Sequence, residues 1–175
     1  MTGRAIGEPD PGRAGPSRTS FLDAATGIVV LLALGLALRL IIAYLIPGSG
    51  FAVDLASFQY WASNLANEGL HGFYERDFFH DYKPGYLYVL WLVGGVANLF
   101  GGGVGDLIKL PPIVADIALG YLVWSMVREL GGSERSARIG AALVLFNPVT
   151  WFDSVVWGQV DSFGVVFLLL ALREL

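Results

Sequence analysis

An all-α, polytopic bundle of transmembrane helices is the fold class this sequence predicts, and three observations predict it. Of the 175 residues, 55% are hydrophobic and only 15% charged, against about 25% charged in a typical soluble domain. The apolar residues gather into runs that approach the ~20 residues a helical crossing needs. The polar residues collect between those runs. After tails and loops, roughly three to five crossings fit.

The elements follow in order. Residues 1–20 are rich in Gly, Pro, Arg and Ser, bury too little apolar surface to offset chain entropy, and read as a disordered cytoplasmic tail. Residues 24–46 (AATGIVVLLALGLALRLIIAYLI) carry one charge, Arg39, and form the first span, ended by Pro47, Gly48 and Gly50. Beyond Asp54, residues Phe58, Trp61, Ala62 and Leu65 recur at helical spacing. That periodicity describes a helix at the interface, with its aromatics at headgroup level. Tyr82-Lys83-Pro84-Gly85 then breaks the chain.

The apolar stretch at 86–100 (YLYVLWLVGGVANLF) is short of a crossing and fits a re-entrant or interfacial helix. Charge placement decides its position. If it crossed, the Arg-rich loop 128–138 (RELGGSERSAR) would lie opposite the Arg-bearing N-terminal tail, against the positive-inside rule. Kept on the outer side, it removes the conflict. Residues 109–127 then run inward as a second span, and 139–156 run outward as a third, interrupted by Asn147-Pro148. Residues 163–172 begin a fourth that leaves Arg173 inside. The reading is an inner-membrane protein of about four spans, N-terminus cytoplasmic, with an external loop at 47–107. It places Asp54, Asp81 and Asp161 together on the outer face.

Several chemistries are excluded or disfavoured. A formal net charge of −4 offers no basic surface for a nucleic-acid backbone. The absence of cysteine removes disulfides, thiolate metal sites and Cys nucleophiles. His71 and His80 are the only histidines, so a zinc site would need mostly carboxylate ligands, and no divalent metal is indicated. Gly101 to Gly105 lacks the Gly-Lys-Ser/Thr of a phosphate loop. The chain holds no Gly-x-Ser-x-Gly elbow and no Asp-x-Asp pair.

Two features carry chemistry: Asp54 with the aromatics that follow it, and 147–162 (NPVTWFDSVVWGQVDS), where polar residues interrupt an apolar run. Together these resemble the GT-C class of membrane glycosyltransferases, which take a sugar from a polyprenyl-phosphate donor. The likeness is to bacterial relatives of the mannosyl- and glucosyltransferases of GPI-anchor and N-glycan assembly. It is carried by Arg39-Leu40 at the end of the first span, Asp54 in the first external loop, and Tyr82-Lys83-Pro84 opening a juxtamembrane helix. Lys109 at the outer start of the second span, Asn147-Pro148, and Trp157-Gly158-Gln159-Val160-Asp161 complete it.

The resemblance implies an inverting transfer of a hexose, mannose in the first instance, to a glycan, lipid or protein acceptor. Asp54 would be the general base. Lys109 and Arg39 would hold the donor phosphate, while Gln159, Asp161, Tyr82 and Trp157 would orient sugar or phosphate. Asp81, Lys83 and Asp116 are further candidates. Many relatives follow the loop tyrosine with Pro-Pro or Pro-Leu, so Lys83 departs from the pattern. The likeness covers about residues 24–175 and less than half of such an enzyme. With almost no polar tail after its last apolar run, the chain reads as an N-terminal piece, residues 21–175 forming part of a catalytic module and inactive alone.

The residue types suit that chemistry without the family. A carboxylate in a partly apolar setting can take the proton of an attacking hydroxyl. A polyprenyl phosphate needs only fixed positive charge in order to leave. Plainer roles are also open: Asp54 and Asp161 as helix caps, Lys109 as an interfacial anchor, and Arg39 and Asp116 as an intramembrane ion pair. Two other functions would use the same residues without a base, a transporter or flippase for lipid-linked sugars and a non-catalytic assembly subunit.

Overall fold

The computed structural model describes residues 18–46 and 50–175. Most of the expected tail, together with Pro47 and Gly48, lies outside the described residues. The last three positions of that tail, from Arg18, already belong to a helix. Among the described residues the chain is all helical, 79% helix with no strand.

Seven α-helices follow one another. They are α1 (Arg18–Leu40), α2 (Ala52–Glu68), α3 (Pro84–Leu99), α4 (Leu110–Glu129), α5 (Glu134–Leu145), α6 (Pro148–Trp151) and α7 (Asp161–Arg173). Two of the rods end in a wider π-helical turn, Ile41–Leu45 after α1 and Phe152–Trp157 after α6. Thr26–Leu45 and Gly105–Glu129 are long and apolar enough to cross a membrane. A third candidate is the pair Glu134–Leu145 and Pro148–Trp157, bent by 41°. Helix α7, where a fourth span was expected, has 13 residues. At 1.5 Å per residue it reaches about 20 Å, short of the ~30 Å hydrocarbon core. Helix α3 has 16 residues and packs mainly on α2, outside the candidate spans.

The bend has a local cause. Asn147 caps α6 by accepting a hydrogen bond from Val149 N at 3.0 Å. That takes the donor which an unbroken helix would offer to the carbonyl of Leu145. Arg39 replaces it, its Nη1 donating to Leu145 O at 2.9 Å and to Gly35 O at 3.1 Å. A backbone break at membrane depth requires such a substitute, since lipid offers none. The Leu145 side chain fills the space left by two glycines. A Cβ on Gly120 would lie 2.6 Å from it, and one on Gly35 3.0 Å.

Arg39 also holds Asp116 of α4, Nε to Oδ2 at 2.6 Å, with both side chains fully buried. Ser154 donates to the same oxygen at 2.6 Å, and Ser162 donates to Oδ1. One carboxylate therefore joins α1, α4, the turn after α6 and the start of α7. The pairing of Arg39 with Asp116, one of the plainer readings, is the arrangement found. Nη2 of Arg39 is buried without a hydrogen-bond partner among the described residues. At one end of the bundle Glu134 gathers Trp124 (3.2 Å), Arg128 and Arg138 (each 3.4 Å).

At the other end, α2 and α3 form a hairpin. Its apolar core of Phe58, Trp61, Leu65, Leu87 and Leu90 also takes in Phe73 from the loop and Val160. Arg76 ties that loop back to α2, donating to Asn64 Oδ1 and to the carbonyls of Gly69 (2.7 Å) and His71 (3.0 Å). Pro84 stands at the first position of α3, where its missing N–H is no loss.

Candidate functional site

Gly158 organises the site. Its φ of +93° lies in the left-handed region that side chains disfavour, and a Cβ there would sit 2.7 Å from Leu55 of α2. The tight turn brings both neighbours, Trp157 and Gln159, onto Asp54. The start of α2 is pinned to the same turn, with Phe51 N donating to Trp157 O at 2.8 Å.

Asp54 Oδ2 accepts from Trp157 Nε1 at 3.0 Å and from Gln159 Nε2. Tyr82 OH in turn donates to Gln159 Oε1 at 3.0 Å. Burial, followed by the carboxylates of Asp161, Asp81, Asp54 and Asp153, pushes the Tyr82 phenol up to about 12. The phenol therefore keeps its proton at neutral pH and donates. That direction orients the amide, because an ionised carboxylate can only accept. Asp54 Oδ1 carries no hydrogen bond within the described residues.

This relay borders a cavity of about 260 Å³, whose lining includes Ser57, Trp61, Phe79 and Asp81 beside Asp54, Tyr82 and Gln159. Trp61 is fixed there by donating to Phe79 O at 2.8 Å. Aromatic faces and carboxylate acceptors around one recess suit a neutral polyol, which packs its C–H face and donates its hydroxyls.

The expected site residues separate into groups. Asp54, Tyr82, Trp157 and Gln159 come together, with Asp81 on the cavity wall. Asp161 is exposed at the first position of α7, close enough to act electrostatically on Tyr82. It makes no capping hydrogen bond. Nor does Asp54 cap α2: Phe51 holds that position, and Asp54 is the third helical residue. Lys83 is exposed and precedes α3. Lys109 lies buried away from the cavity lining, its ammonium 3.1 Å from Ala43 O and 3.1 Å from Asp106 Oδ1. Arg39 and Asp116 are engaged with each other at the centre of the bundle.

Sequence reading missed Ser154 and Ser162, which hold Asp116, and Ser57 and Phe79, which line the cavity. A serine within an apolar run was the available signal for the first two. Among the described residues, no three His, Asp or Glu side chains are grouped to hold a metal ion. Compared with protein-family models, curated proteins and solved structures, the chain matches none.

Proposed function

We propose that this protein is a membrane glycosyltransferase that moves a hexose from a polyprenyl-phosphate donor to an acceptor hydroxyl, with Asp54 as general base. The observation that carries the reading is Asp54 itself. Two neutral donors fix one of its oxygens, and the other is unengaged beside an aromatic-walled recess. Neutral donors orient a carboxylate without pairing it with a cation, which leaves its second oxygen aimed at a bound hydroxyl.

In the reaction, Asp54 takes the acceptor's proton as that oxygen attacks the anomeric carbon. The bond from carbon to phosphate oxygen breaks, its electron pair leaves with the phosphate, and the configuration inverts. Lys109 supplies positive charge to the leaving phosphate by exchanging its exposed partner Asp106 for it. Tyr82 and Gln159 hold the base in register, and Asp161 orients donor or acceptor hydroxyls.

The same reading places the site on the outer face of a cell membrane, with α7 contributing to a fourth crossing and the α2–α3 hairpin at the surface. Support comes from the two ends of the bundle. Arg128, Arg135, Arg138 and Arg173 lie at the end bearing Glu134, against Arg76, Lys83 and Lys109 at the other, and the positive-inside rule favours the end richer in Lys and Arg as the cytoplasmic one. The test uses membranes containing the full-length protein, of which this chain reads as the N-terminal part, supplied with radiolabelled polyprenyl-phosphate mannose or glucose. Transfer that depends on the protein and collapses in Asp54→Asn is the expected result; equal transfer by that variant would sink the assignment.

A further inference from the structure

A second site lies at the opposite end of the bundle, between α1 and α5. These helices run parallel, since Gly27 faces Arg138 and, two turns on, Gly35 faces Leu145. The groove between them encloses about 720 Å³. Its walls are apolar, formed by Val30, Leu31, Ile139 and Ala142, and its mouth carries Arg135, Arg138 and Thr26. Both walls belong to candidate membrane spans. Val30 and Ile139 are each 50% exposed, so the groove opens outward.

The arginines are placed to receive an anion. Gly27 has no Cβ, and one built there would lie 2.7 Å from Arg138 Nη1, so the guanidinium rests against the backbone of α1. Its Nε faces Glu134 at 3.4 Å, and neither terminal nitrogen makes a hydrogen bond among the described residues. Arg135 is exposed and has no polar partner among them. Glu134, the acidic group that faces Arg138, is shared with Arg128 and Trp124. Among the described residues, Glu134 is thus the carboxylate set against Arg135 and Arg138 at the mouth and Arg128 beside it, which leaves positive charge there.

We infer that this groove binds an anionic phospholipid, its phosphate on Arg135 and Arg138 and one acyl chain along Val30, Leu31, Ile139 and Ala142. Charge complementarity selects the lipid: basic pockets between membrane helices on the cytoplasmic side take anionic headgroups, and the apolar walls take a chain that a free anion lacks. The site is independent of the chemistry at Asp54.

Native mass spectrometry of the purified protein in neutral detergent tests it, with dioleoylphosphatidylglycerol, dioleoylphosphatidylcholine and inorganic phosphate as probes. One phosphatidylglycerol should bind in preference to phosphatidylcholine. Arg135→Gln with Arg138→Gln should weaken that binding about thirtyfold, taking ~1 kcal/mol per arginine. Ala142→Phe, which fills the groove and keeps both charges, should also displace the lipid. Arg173→Gln, at the same end on Glu129, should leave it bound. Equal binding of the two lipids would overturn the inference. So would retention in both groove variants, as for a patch that takes any lipid or a groove filled by another helix. Binding of inorganic phosphate as tight as that of the lipid would reduce the site to a free-anion contact and overturn it equally.

Discussion

Asp116 and Asp54 both accept hydrogen bonds from more than one element, yet only Asp116 has a cation against it. Arg39 lies 2.6 Å from Asp116, two serine hydroxyls complete its shell, and none of it is exposed. A charge at that depth is tolerated because a cation neutralises it and three donors reach its oxygens. Asp54 is half-buried at the rim, held through one oxygen by an indole and an amide. The first arrangement quenches a carboxylate and spends it on packing. The second aims one and leaves its charge available.

Breaking each side of that contrast gives different readouts. The largest effect is expected from Asp54→Asn, which keeps the shape and removes the base. Transfer should fall by about 10² to 10⁴, with the thermal melt unchanged. Next comes Asp116→Ala, which strands Arg39 and should destabilise the bundle by about 3–5 kcal/mol in detergent unfolding. Arg39→Met combined with Asp116→Leu should recover part of that loss, because no charge is then stranded even though the Leu145 carbonyl loses its donor. Failure of the double variant to recover would mean that Arg39 matters more for the Leu145 carbonyl than for Asp116.

Smaller effects sharpen the contrast. Tyr82→Phe frees the Gln159 amide to flip and should lower transfer about tenfold, roughly the worth of one hydrogen bond to a charged relay. The phenol also reports its surroundings. It ionises near 10 in an unfolded chain and at about 12 in the fold, so the folded state holds the proton more tightly. Its stabilising contribution is whole below about pH 10 and is lost as pH rises through 12. Ultraviolet difference titration of the parent against Tyr82→Phe should place the missing phenolate step there. Ser162→Ala is expected to be mildest, about 0.6 kcal/mol for one hydrogen bond in a membrane bundle, with transfer retained.

The architecture was legible where periodicity and charge are local properties. The three candidate spans, the short apolar helix expected at 86–100 and the interruption at Asn147-Pro148 all follow from apolar run length and proline chemistry, although that helix starts two residues earlier, at Pro84. The pairing of Arg39 with Asp116 was open to inference because two opposite charges in apolar runs seek each other. Other features arise only in three dimensions. The π turns leave no mark in hydropathy. The inward tuck of Lys109 depends on the carbonyl of Ala43, 66 positions away. At the site, Asp54, Tyr82 and Gln159 could be named singly, but their relay exists only because the turn at Gly158 sets the Gln159 amide between the carboxylate and the phenol. Asp54 looked like a cap from sequence because the helix start was placed three residues late.

The turn Phe152–Trp157 joins the two aspartates. Ser154 holds it to Asp116 in the interior, and Trp157 with Gln159, just beyond it, meets Asp54 at the surface. Trp157 and Gln159 lie only three and five positions after Ser154, too few for the two grips to adjust independently. A chain whose rods had inserted but not yet docked would carry every residue of the recess and still lack the recess. The recess around Asp54 would thus appear only once the bundle is assembled, because one short stretch of helix holds both the interior contact and the surface one.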